Sequence, residues 1–255
     1  MRLASVLLVL TLLTTCMTAG TFAKYVTSAE GSGTARVAKF GVDVSVNAGD
    51  VFGQNYANKD AGNGVVADKN GATVSAKDMV VAPGTQGSMT FSITGTPETA
   101  VTLNISLDDK ESPMMKEVML KAGTYKDMTT DTEVELDADY YPVKWTLKDS
   151  NQKVVGQLEN KKLSEIEDYF SKLEKDYNPN KNLTEVLGGD GTYTLSWNWA
   201  IEENNAADTL LGNIQADSKL VQKRNPDEMN FGNITTADYN LTEAFNFTIS
   251  VTQVD

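Results

Sequence analysis

Six carboxylates crowd one short stretch of the chain: Asp127, Asp131, Glu133, Glu135, Asp137 and Asp139. The chemistry open to such a cluster is divalent cation binding, and outside a cell that cation would be calcium. A calcium loop supplies its oxygens from the pattern D-x-[DN]-x-[DN]-G with a distal Glu. The spacing here does not follow that pattern, so calcium stands as the one cofactor the residues suggest, with no ligands named. The rest of the catalytic inventory is thin. There is no histidine, and Cys16 is the only cysteine. A Cys/His zinc site, an imidazole base and a disulfide are therefore unavailable once Cys16 is removed. Ser-Lys or paired-carboxylate chemistry needs no histidine, but no motif selects either. The chain is expected to be no enzyme, and no catalytic, metal or cofactor-binding residue is assigned.

The elements that would carry these residues read as strands. Phe40, Val42, Val44 and Val46 alternate with polar or small residues, as do Met89, Phe91 and Ile93, and Val101, Leu103, Ile105 and Leu107. Val143, Trp145 and Leu147 form a fourth run, Tyr193 to Ile201 a fifth, and Phe245, Phe247, Ile249 and Val251 a last. Period 2 places each apolar set on one face, as the inner face of a sandwich requires. Ala82-Pro83-Gly84 and Gly95-Thr96-Pro97 are turn signals. Together they predict a hairpin of Gly87–Ile93 and Ala100–Leu107. Gly188-Gly189-Asp190-Gly191 launches the double-tryptophan strand.

Ser164-Glu165-Ile166-Glu167 reads as a capping box that opens a helix with apolar positions Leu163, Ile166, Phe170, Leu173 and Tyr177, stopped by Asn178-Pro179. That stripe is expected to pack on the domain's own sheet. A second short helix is expected over Ala206–Gln215. The segments Gly49–Asp78 and Asp217–Thr242 read as long loops. The whole predicts a mainly β fold, an antiparallel sandwich with one or two inserted helices and long loops, in one domain.

The net charge of −13 argues against phosphate-backbone binding, so no nucleic-acid partner is expected. Asn-x-Ser/Thr occurs at Asn104, Asn182, Asn233, Asn240 and Asn246, read as the composition of an Asn/Thr-rich β protein. Trp197 and Trp199 could form a sugar platform, but they share the apolar phase of Leu195, which favours the core.

The start of the chain sets compartment. Arg2 precedes an apolar run from Leu3 to Leu13, about the length of a secretory h-region and short of the roughly 20 apolar residues of a spanning helix. Thr11, Thr14, Thr15 and Thr18 dilute it, and no basic stop-transfer cluster follows. Thr21-Phe22-Ala23 predicts cleavage between Ala23 and Lys24, with Ala19-Gly20-Thr21 as a second choice. Leu13-Thr14-Thr15-Cys16 has the outline of a lipobox, with Thr15 bulkier than the usual neighbour of a lipidated Cys. Lipidation there and an uncleaved anchor are the rivals. Cleavage after Ala23 predicts a secreted form, residues 24–255, outside the membrane, led by an arm over residues 24–36.

Three blocks carry a resemblance. They are Gly20-Thr21-Phe22-Ala23-Lys24-Tyr25 with Ala35-Arg36-Val37-Ala38-Lys39-Phe40-Gly41-Val42, then Val81-Ala82-Pro83-Gly84-Thr85-Gln86-Gly87 with Gly95-Thr96-Pro97-Glu98, and Tyr193–Trp199 with Asp208-Thr209-Leu210-Leu211-Gly212-Asn213. Together they resemble the TasA/camelysin family of secreted Gram-positive proteins. The resemblance implies a jelly-roll-like sandwich, export through a dedicated (SipW-type) signal peptidase, and a structural role in an extracellular fibre or biofilm matrix. It also implies that the subunit polymerises with copies of itself by exchange of an N-terminal strand, here Lys24, Tyr25, Val26 and Thr27 onward. Such an arm gains main-chain hydrogen bonds at a neighbour's sheet edge. The competing expectation is a monomeric cell-surface adhesin or ligand-binding module that uses its long loops. The family's metalloprotease reputation does not transfer, since a zincin needs His-Glu-x-x-His and the chain has no histidine.

Overall fold

A computed structural model describes residues 38–48, 51–52, 65–67, 73–75, 81–107, 115–201, 204–225, 227 and 230–254, with 65–67 and 73–75 described in backbone alone. The described chain is mainly β with antiparallel sheets. In chain order the strands are β1 (Val42–Asn47), β2 (Val65–Ala67), β3 (Thr73–Ser75), β4 (Gln86–Gly95), β5 (Val101–Ser106), β6 (Met119–Leu120), β7 (Gly123–Asp127) and β8 (Thr132–Leu136). After them come β9 (Val143–Asp149), β10 (Asp176–Tyr177), β11 (Thr192–Trp199), β12 (Val221–Arg224), β13 (Phe231–Asn233), β14 (Tyr239–Asn240) and β15 (Thr248–Gln253). The principal sheet runs β1-β4-β11-β9, a second runs β10-β5-β15 and a third β13-β12-β7-β8, with the small pairs β14-β6 and β2-β3 beside them.

Period 2 does what it promised in the central strands. Every second residue of β4, β9 and β11 is buried. The register aligns their large side chains: Leu195 lies between Met89 and Leu147, and Trp197 lies opposite Trp145. This apolar face meets the segment that leads into β15 of the second sheet through aromatic rings. Phe91 and Phe247 have centroids 4.9 Å apart, and Trp145 stands edge-on to Phe245 at 5.3 Å. Fully burying a side chain of this size contributes about 1.5–3 kcal/mol. Trp197 and Trp199 lie in this core, so the face available to a sugar platform is absent.

Three expectations are corrected. The first is the hairpin: β4 pairs with β1 and β11, whereas β5 pairs with β10 and β15. The two strands are consecutive in the chain but belong to different sheets. Gly95 makes the crossing, at φ 115°, with Gly41 packed so tightly that an added Cβ would lie 2.0 Å from its carbonyl oxygen. Alternation fixes which face a strand buries, and both faces here point into the same core from opposite sides.

The second is the helix, which spans Leu163–Ser171 with its cap at Lys162, two residues before the expected cap Ser164. Glu165 reaches back to the Lys162 amide at 3.0 Å, the carboxylate half of a capping box. Lys162 has no side-chain acceptor for the other half. Ser164 instead donates its amide and hydroxyl to Glu117 at 2.9 and 3.0 Å, an acid well placed at a helix start. Leu163, Ile166 and Phe170 pack inward, Phe170 against Phe91 and Phe247. The helix ends before Asn178-Pro179 because Tyr177 is claimed by β10, where it pairs with Val101. Its hydroxyl donates to the Glu174 carbonyl at 2.6 Å, and burial pushes its pKa up to about 12.

The third concerns the loops. Asp217–Thr242 contains β12, β13 and β14, strands too short and polar to show a period. Within Gly49–Asp78, Val51 and Phe52 return to the core. Phe52 packs on Trp145, Trp197 and Phe245, and the Trp197 indole donates to the Val51 carbonyl. Gly87 permits this: a Cβ there would meet the same carbonyl at 2.0 Å. The second helix, Asn205–Ala216, matches its expectation, with the Asn204 side chain accepting from the Ala207 amide at 3.2 Å. No helix among the described residues is long and apolar enough to cross a membrane.

Candidate functional site

Strand addition requires an edge whose main-chain groups are not already paired. The outer edge of β9 is taken. Trp145 and Lys161 exchange main-chain bonds at 2.7 and 2.8 Å, and Leu147 bonds Leu158 and Val155 at 2.9 and 3.0 Å. The other flank differs. Among the described residues β1 pairs along one side with β4, and β15 along one side with β5. These two edge strands approach each other without pairing.

Side chains there are unusual for a surface. Phe40 is 41% exposed, Val46 42% and Val254 43%, three of the five large apolar residues left exposed among those described. Asp43 and Ser45 occupy the opposite phase of β1, with Ser45 and Ser92 hydroxyls 2.8 Å apart. Lys39 fixes the entry to the strand. Its amide donates to the Glu98 carboxylate at 2.8 Å and its carbonyl accepts from the Glu98 amide at 2.9 Å. The chain therefore leaves toward the N-terminus from a clamped point beside Pro97. The predicted cleavage residues Ala23 and Lys24, and the arm residues Tyr25, Val26 and Thr27, lie outside the described residues.

The acidic stretch folds as the β7–β8 hairpin and its exit. Asp127 is buried and accepts from the Thr129 amide and hydroxyl at 2.8 and 2.6 Å. Burial pushes its carboxyl up, but these donors outweigh it and hold the group below the usual range. Asp131 pairs with Lys126 at 2.6 Å and Glu133 with Arg224 at 2.7 Å. Asp139 accepts from the Ala122 amide at 2.9 Å, the main reason its carboxyl titrates low, and from Lys121 at 3.2 Å. Four of the six carboxylates are thus engaged at separate places. No group of three acids among the described residues is arranged to hold a metal ion.

A seventh carboxylate has the most altered chemistry. Glu243 is buried, accepting from the Val118 amide at 2.7 Å and the Trp145 indole at 2.9 Å. Burial drives its pKa from 4.5 to about 7, the Glu117 charge adds to the rise, and the two donors oppose it. The group ties β9 to the segments before β6 and before β15, where Lys116 and Ala244 also exchange main-chain bonds at 2.7 and 3.0 Å. Its surroundings are core aromatics, which makes it a structural clasp.

A groove of about 970 Å³ opens at one end of the third sheet. Its walls come from β7, β8, β12, β13 and the turn before β14. Burial pushes the Asp238 carboxyl up, but the Lys223 ammonium at 2.8 Å and the Thr235 amide and hydroxyl together outweigh it and hold the group below its usual range.

No family model, curated protein or solved structure matches this chain. Its site must be read from its own geometry. The sequence did carry one signal for Glu243: it falls in phase with Phe245, Phe247, Ile249 and Val251, a carboxylate on an apolar face. For the groove the sequence showed only Glu135 and Asp137 of the acidic stretch, because its strands β12 and β13 were hidden in a polar segment.

Proposed function

We propose that this protein is a secreted structural subunit of an extracellular fibre or biofilm matrix. Its fold is a jelly-roll-like β-sandwich, and its N-terminal arm, freed at Lys24 by a signal peptidase, adds as a strand to the next copy. The observation that carries this reading is the flank formed by β1 and β15, two adjacent edges among the described residues, with exposed Val46 in β1, Phe40 just before it and Val254 just after β15. Soluble β proteins usually blunt such edges with charge, Pro or a covering segment. The resemblance to TasA/camelysin proteins and the apolar run before Ala23 support the same reading. In it the chain is no enzyme and binds no nucleic acid.

The edge is tested by Val46→Lys. A lysine on an edge strand opposes pairing, so polymerisation of the chain beginning at Lys24 should slow by roughly tenfold or more, measured by light scattering. Val46 is already exposed, so the unfolding free energy should change by less than about 0.5 kcal/mol. Unchanged polymerisation in Val46→Lys and in Phe40→Ser would remove this flank from the account.

A further inference from the structure

We propose that the groove at the end of the third sheet binds a neutral glycan. This goes beyond assembly and stands whether or not the chain polymerises. Its size, about 970 Å³, falls at the upper end of the range of ligand-binding clefts. The chemistry of its walls narrows the ligand class.

The two cations of the groove are already neutralised. Lys223 bonds Asp238 at 2.8 Å, and Arg224 bonds Glu133 at 2.7 Å. Glu135 and Asp137, by contrast, are exposed on β8 and its exit, their side chains with no hydrogen-bond or ionic partner among the described residues. An anionic ligand would meet two unpaired carboxylates and no unpaired cation. The donors left to a ligand are neutral amides, since the Arg224 guanidinium is bonded to Glu133 and lies over the Phe231 ring at 5.0 Å, with its Nε buried. Asn233 adds an exposed side-chain amide, and Phe231 is half-buried, leaving apolar ring surface in the wall.

A ligand complementary to this set must donate hydrogen bonds to carboxylates, accept them from amides, and carry an apolar face. A sugar does all three: its hydroxyls donate and accept, and its C–H face packs on an aromatic ring. Carboxylate acceptors strengthen such bonds, because charge-assisted hydrogen bonds are roughly twice as strong as neutral ones. In this assignment Asp137 and Glu135 accept hydrogen bonds from sugar hydroxyls, Asn233 donates to a sugar oxygen, and Phe231 carries the ring face.

The test is isothermal titration calorimetry of the chain beginning at Lys24 with maltotetraose, cellotetraose and tetra-N-acetylchitotetraose, and separately with spermine and inorganic phosphate. At least one neutral tetrasaccharide should bind, and Asp137→Ala should weaken it by roughly tenfold, the loss expected of a charge-assisted hydrogen bond. Phe231→Ala should weaken it as well. Asp137 is exposed, so its variant should keep the wild-type melting temperature, which separates lost binding from lost fold. Binding by none of the three sugars, binding indifferent to both substitutions, or binding of spermine or phosphate alone would overturn the proposal.

Discussion

Trp145→Ala should cost about 4 kcal/mol of unfolding free energy or more, the upper range for deleting a buried aromatic side chain. Trp145 is fully buried at the meeting point of the principal and second sheets. Its ring contacts Phe52, Trp197 and Phe245. Its indole N–H is one of two donors to Glu243. The substitution therefore opens a cavity between sheets and removes a donor from a buried carboxylate, and both effects act in the same direction. Trp145→Phe keeps most of the volume and removes the donor, so it should cost less, about 1.5–3 kcal/mol. Urea unfolding followed by far-ultraviolet circular dichroism measures both. A loss below about 1 kcal/mol for Trp145→Ala would mean that the sheets do not depend on this junction.

The second large effect is a pH dependence of unusual sign. The pKa of Glu243 is raised in the folded state to about 7 from 4.5. The folded protein then holds a proton that the unfolded chain has released, so this group's contribution is greatest below pH 4.5. It declines as pH rises through the interval and is fully lost above about 7. A displacement of that size corresponds to about 3 kcal/mol. Asp127, Asp139, Glu165, Asp190 and Asp238 are shifted the other way, and their contributions fade only as pH falls through their lowered values. The interval from pH 4.5 to 7 therefore reports chiefly on Glu243. Unfolding free energy should fall by about 3 kcal/mol across it in the native sequence and stay level in Glu243→Gln. Glutamine presents one acceptor where the site has two donors, so its level is expected to lie below the native value at pH 5. A native profile that is flat or rises between pH 4.5 and 7 would contradict the burial of a protonatable Glu243.

What the sequence disclosed follows from what a pattern can encode. The alternation in Met89–Ile93, Val143–Leu147 and Tyr193–Trp199 named the inward residues of β4, β9 and β11, because each strand has one buried and one solvated face. It could not name neighbours. β4 and β5 looked like hairpin arms, and only their pairing, β4 with β1 and β11 and β5 with β10 and β15, shows the chain crossing between sheets. The helix start was displaced for a related reason. Ser164 has cap chemistry, but Glu117, distant in sequence, takes its hydroxyl and amide. β12 and β13 have few apolar residues to alternate, and their pairing with β7 is a tertiary fact. The β1 strand was legible as a strand, while its place at an edge was not. That place is what turns the exposed Phe40 and Val46 from ordinary surface residues into a candidate interface.

In the proposed assembly an N-terminal arm joins one copy to the next at the flank of β1 and β15. Electron microscopy of two purified chains tests it directly, one beginning at Lys24 and the other at Ala38. Filaments are expected from the first and dispersed particles from the second, with equal melting temperatures. Dispersed particles from both chains, or filaments from both, would contradict it.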